Sequence, residues 1–122
     1  MKASLSGVFA LVSALSIICI PEVFGQQGMP AFSDVDRIFE ARCIKCHGGT
    51  RPAEGLHLDS YGGVMAGAKD MQVIVKGEPG KSELVKRIKG ISKPRMPKDG
   101  PPWLSENDIT LIEKWIAAGA PQ

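Results

Sequence analysis

Apolar residues recur at helical spacing in three stretches of the chain. In the first, Val35, Ile38 and Phe39 share one face. This spacing predicts a helix starting at Ser33 as N-cap, with Asp36 three residues on and Asp34 favourable in the first turn. The helix is expected to run through Cys43–His47 and stop at Gly48-Gly49. In the second, Leu84, Val85 and Ile88 form an apolar face behind Ser82 as cap. In the third, Ile109, Ile112, Trp115 and Ile116 make a stripe opened by Ser105 with Asp108, and ended by Gly119 and Pro121.

The intervening segments read differently. Residues 48–62 are glycine-rich, with Leu56 and Leu58 alternating with His57 and Asp59 as a short extended piece. Val64 to Ala68 fits one helical turn. Val73-Ile74-Val75 fits a brief strand or a packed loop, and Gly77 to Gly80 a turn. Pro94, Pro97, Pro101 and Pro102 keep residues 90–102 irregular. No stretch alternates long enough for a substantial sheet, so the expected fold class is all-α.

Ahead of this domain, Leu5 to Ile20 is an apolar run without charge, preceded by Lys2. Its roughly 16 residues fall short of the roughly 20 that a spanning helix needs. Residues 1–25 therefore read as a secretory signal peptide cleaved before Gln26, and the expected location is periplasmic or otherwise exported. The alternative is an uncleaved anchor, the one route by which a membrane would be involved. Cys19 follows Ile17-Ile18 and lacks the small residues of lipoprotein processing. Residues 26–32 read as a flexible lead-in, and residues 33–120 as the domain. A mature chain of about 97 residues is one domain with a modest core.

The chemistry concentrates at Cys43-Ile44-Lys45-Cys46-His47. C-x-x-C-H is the attachment signature of c-type haem. On a helix, positions three and four apart share a face. Both thiols then reach one porphyrin edge, and the adjacent imidazole can swing under the plane to bind iron. A zinc site would want about four ligands, and only Cys19 and His57 remain to supply them. A thioredoxin-like redox pair would want a βαβ pattern, which is missing. The expected cofactor is one covalent haem c per chain, held by Cys43, Cys46 and His47.

Six-coordinate electron-transfer haem commonly pairs His with Met. Met29, Met65, Met71 and Met96 lie past the leader. Met96 lies between Arg95 and Pro97 in the proline-stiffened loop and is the expected second ligand. Met65 and His57 are its rivals, and gap-filling in the core is its bland alternative. Gly80-Lys81-Ser82 resembles the tail of a phosphate-binding loop, but Val75 stands where the first glycine belongs.

Formal net charge is only +2. It is unevenly spread: Lys81, Lys86, Arg87, Lys89, Lys93, Arg95 and Lys98 face Glu83 alone within their stretch. This is either a solvated face or a docking surface for an acidic redox partner. Nucleic acid is not expected as a partner, and a monomer is.

Taken together, Cys43-Ile44-Lys45-Cys46-His47-Gly48, Gly55-Leu56-His57-Leu58-Asp59, Arg95-Met96-Pro97 and the run from Leu104 to Ala120 resemble a class I-type cytochrome c, more narrowly the planctomycete-type cytochrome c domain. The resemblance spans roughly residues 33–120. It implies His47 as proximal ligand, Met96 as distal ligand, thioethers at Cys43 and Cys46, and first and last helices packed together. Two departures stand out: Lys98 where the family often has a second proline, and an end at Gln122 where its domains often sit in longer proteins. The function expected is single-electron transfer between redox partners. A haem-dependent enzyme domain or subunit, or a gas-binding haem protein, is the alternative.

Overall fold

The computed structural model describes residues 28–122. The expected signal peptide lies outside them. Among the described residues there are four α-helices, in order α1 (Phe32–Arg42), α2 (Tyr61–Ala66), α3 (Glu83–Lys89) and α4 (Glu106–Ala117). Single 3-10 turns at Ala53–Gly55 and Pro79–Lys81 interrupt the connections. Among the described residues there is no sheet, only an isolated bridge between Ala68 and Met71. The fold is all-α, as expected. No described helix is long and apolar enough to cross a membrane.

α1 and α4 pack against each other, and α3 packs on α4. The apolar stripes of the sequence make this contact: Val35, Ile38 and Phe39 from α1; Ile109, Ile112, Trp115 and Ile116 from α4. Trp115 is fully buried, with its ring 6.4 Å from Phe39 and 6.0 Å from Phe32. Its indole N–H donates to Pro121 O at 2.8 Å, so the polar edge of a buried ring is satisfied. Removing a buried aromatic of this kind costs about 3–5 kcal/mol, which makes this pair the main fastening of the fold. Lys89 ties α3 to α4 through Glu113 at 2.8 Å.

Local chemistry explains the ends. At α4 the Ser105 hydroxyl accepts from Asp108 N–H and donates to the Asp108 carboxylate, as the Ser-x-x-Asp spacing predicts. At α1 the expectation needs correcting. The helix starts at Phe32 with Ala31 as N-cap, and Asp34 accepts from Ala31 N–H at 2.8 Å. A carboxylate reaching back to the N-cap amide suffices without a capping hydroxyl. Ser82 precedes α3 as expected but does not cap it with its side chain. The hydroxyl is fully buried, accepts from Val75 N–H and donates to Glu78 O. It thus secures the Val73-Ile74-Val75 run as a packed loop rather than a strand.

Candidate functional site

α1 ends at Arg42, earlier than expected, and Cys43 to Cys46 form the turn after it. Cys43 N–H and Ile44 N–H both donate to Phe39 O, at 2.8 and 3.1 Å. The shared acceptor widens the last turn and ends the ladder. One helical bond survives across the motif, His47 N–H to Cys43 O at 2.9 Å. Cys43, Cys46 and His47 therefore still come together, on a turn rather than a continuous helix. The turn is braced from the next segment: Leu58 N–H donates to His47 O at 2.7 Å, and Gly49 N–H to the Asp59 carboxylate at 2.9 Å. The Gly49 amide holds the Asp59 carboxyl below the usual carboxylate range, with His57 adding to the effect.

These three side chains line a cavity of 680 Å³. Its walls are largely apolar, with Phe39, Leu56, Leu58, Leu84, Ile88 and Ile112 among them. Met96 lines it too, partly buried against the core. All four residues singled out from the sequence thus meet at one cavity. His57 does not line it: its Nδ1 lies 3.3 Å from Asp59, outside the cavity wall. Met65 packs on the core elsewhere, and Met29 is exposed. Met71 does reach the cavity but is 50% exposed, and nothing in its spacing announces that position.

His47 is oriented for ligation. Its Nδ1 lies 3.2 Å from Ala53 O. A carbonyl oxygen only accepts, so the ring proton must sit on Nδ1, leaving the Nε2 lone pair free. A backbone carbonyl on the second nitrogen is the usual support for a metal-bound imidazole. Burial pushes the Cys43 thiol up to about 11 from an ordinary 9.0, with Arg42 opposing the shift. Cys43 is thus a neutral thiol in an apolar wall, while Cys46 is exposed; both are free.

The Met96 loop is pinned to α3. Met96 N–H donates to Arg87 O at 3.0 Å, and the Arg87 guanidinium donates to Lys93 O and Pro94 O. Arg95 donates to Ile88 O at 3.3 Å and stacks over Trp103, 4.7 Å from the ring centroid. Gly90 caps α3 in the left-handed region (φ 76°), and a side chain there would strike Arg95. A side chain at Gly100 would likewise run into the Trp103 ring.

Charge around the cavity is mixed. Of the basic stretch, Lys81, Arg87 and Lys89 are paired with Glu78, Glu83 and Glu113. Among the described residues Lys86, Lys93 and Lys98 have no ion pair. Lys93 and Lys98 border the cavity together with Lys45 and Lys69, all four exposed.

The residues present fit a haem. The cavity lies within the roughly 300–1,000 Å³ of cofactor sites. It offers two thiols, one imidazole with a free Nε2 and one soft thioether on apolar walls. Among the described residues no cluster of three or more His, Cys, Asp or Glu could hold a bare metal ion, so the zinc alternative has no site there.

Comparison with known proteins agrees. Residues 43–100 match the family model described as Planctomycete cytochrome C. The match begins at Cys43 and ends before α4, so it covers the C-x-x-C-H turn and the Met96 loop but not the cavity walls that α1 and α4 supply through Phe39 and Ile112. No curated protein and no solved structure matches the chain. The family brings a haem-binding electron-transfer role and covalent haem c. The C-x-x-C-H turn and the Met96 loop, which share this apolar cavity, thus lie in a planctomycete-type cytochrome c domain.

Proposed function

We propose that this protein is an exported, single-haem electron carrier in which Cys43 and Cys46 hold the haem and His47 and Met96 ligate its iron. One observation carries the reading: two thiols, an oriented imidazole and a thioether from separate segments line one apolar cavity. The haem, when bound, supplies a one-electron ferric/ferrous couple. The chain supplies everything else. Ala53 O keeps Nε2 of His47 free for the iron. The Met96 thioether, a soft ligand, favours the ferrous state and raises the potential relative to two imidazoles. Leu58, Leu84, Ile88 and Ile112, all buried, exclude water from the cavity. With His47 and Met96 both holding the iron, a bound haem would leave substrate no access to it, and the role would be carrying rather than bond-making.

The apolar run at 5–20 before the haem motif supports export, since c-type haem is attached outside the bacterial cytoplasm. The exposed Lys45, Lys69, Lys93 and Lys98 around the cavity support docking of an acidic redox partner to a monomer. The test is Met96→Ala in the ferric haem protein. The wild type should show the weak Met–Fe(III) charge-transfer band; the variant should lose it and bind cyanide readily. Loss of the band in Met71→Ala instead would move the ligand to Met71, and an opened site in His57→Ala would mean two imidazoles.

A further inference from the structure

None of residues 91–98 is fully buried, yet they carry the Met96 thioether to the cavity. What holds them is the C-terminal turn of α3. Helix ends leave carbonyls without intrahelical partners. Here the loop takes them in order: Lys86 O accepts from Ile91 and Ser92 N–H at 2.8 and 3.1 Å, Arg87 O from Met96 N–H at 3.0 Å, and Ile88 O from Arg95 Nε at 3.3 Å. Arg87 engages the loop twice, because its guanidinium also donates to Lys93 O and Pro94 O. The guanidinium is fixed from behind by Glu83, whose Oε1 accepts from Nε at 2.7 Å and whose Oε2 accepts from Ser92 Oγ at 3.2 Å.

We propose that Arg87 is the positioning residue of the distal ligand: by clamping Lys93, Pro94 and Met96 to α3 it sets how often the Met96 thioether leaves the iron. The inference rests on Met96 being that ligand. The geometry separates Arg87 from a surface ion pair. Its side chain is 29% exposed and that of Glu83 21%, so solvent screening is reduced. The Glu83 carboxyl lies below its ordinary range, chiefly through the bond from Arg87. A lysine at 87 could pair with Glu83 or reach one loop carbonyl, but it lacks the planar fork that does both. Replacement should therefore leave a bound Met96 that comes off more often.

Cyanide binding to the ferric protein reads that opening, because cyanide enters only while the sixth position is free and its rate scales with the open fraction. Wild type, Arg87→Gln, Arg87→Lys, Glu83→Gln, Met96→Ala and Ile109→Val are compared by stopped flow, with the charge-transfer band recorded for each. Arg87→Gln should keep the band and bind cyanide roughly tenfold faster or more, as expected for lost bonds to a charged group. Arg87→Lys and Glu83→Gln should fall between it and the wild type; if Arg87→Gln fails to mature, these two carry the test. Ile109→Val, which weakens the core away from the loop, should bind at the wild-type rate.

Wild-type rates in the Arg87 and Glu83 variants, with a fast Met96→Ala, would overturn the clamp and leave the ligand standing. Equal acceleration in Ile109→Val would also overturn it, reducing Arg87 to a general stabiliser. Met96→Ala binding cyanide no faster than wild type would instead mean that the ligand assignment itself has failed.

Discussion

Ile109 and Ile112 sit on the same face of α4 and are almost equally buried, at 3% and 0% exposure. Only Ile112 also forms part of the cavity wall. Truncating either to Ala removes three buried carbons from a packed core, at a cost of about 2–5 kcal/mol. In a domain of this size each kcal/mol lowers Tm by roughly 4–8 °C, so a central loss of ~3 kcal/mol means a fall of roughly 12–24 °C. Both variants should lie in that range. Their effects on the cofactor should diverge. Ile112→Ala thins the apolar wall and lets water approach, which favours the charged ferric state and lowers the potential. Ile109→Ala leaves the cavity wall intact. The assay is thermal unfolding of the haem-loaded protein followed by far-UV circular dichroism, paired with spectroelectrochemical titration. Equal potentials in the two variants, despite similar destabilisation, would refute the claim that α4 builds the cavity wall through Ile112.

Two further outcomes follow from charge. Electron transfer with an acidic partner protein should slow as salt rises, because attraction between exposed charges is screened over about 8 Å at physiological ionic strength. Lys93→Gln with Lys98→Gln should lower the low-salt rate and flatten this dependence; Arg95 is left alone because it stacks on Trp103, and a rate indifferent to salt would return these lysines to a plain solvated face. The second outcome concerns acid. The Glu83 carboxyl is depressed from 4.5 by Arg87 and Ser92 against the opposing effect of burial, so its contribution to stability is complete above 4.5 and is lost as pH falls through the lowered value. Denaturant midpoints should fall below pH 4.5 in the wild type and less steeply in Glu83→Gln, and identical profiles would contradict the pairing.

What could be read from the sequence was what depends on spacing. The stripes 35/38/39 and 109/112/115/116 gave the two packed helices, because burial selects for a face. Ser105 and Asp108 gave the start of α4 because both partners of that cap are side chains. C-x-x-C-H and the proline-flanked Met96 gave the four residues that meet at the cavity, the last with help from a family resemblance. What could not be read were contacts whose partner is a backbone atom. Ala53 O orients His47, Ala31 N–H takes Asp34, and Phe39 O ends α1 by accepting twice. Any residue type supplies such an atom, so composition carries no trace of it. Arg87 shows a related limit. In sequence it is one cation among seven in a basic stretch; in the fold its fork faces two loop carbonyls and a carboxylate.

Covalent attachment of haem at Cys43 and Cys46 is the claim on which the rest depends. The protein, expressed with a c-type maturation system, should be extracted with acid–acetone and its intact mass measured. Haem should stay with the polypeptide, the mass should exceed that of the chain by one haem, and Cys43→Ser with Cys46→Ser should remove the addition. Haem recovered wholly in the acetone, with the polypeptide at its bare mass, would contradict the account.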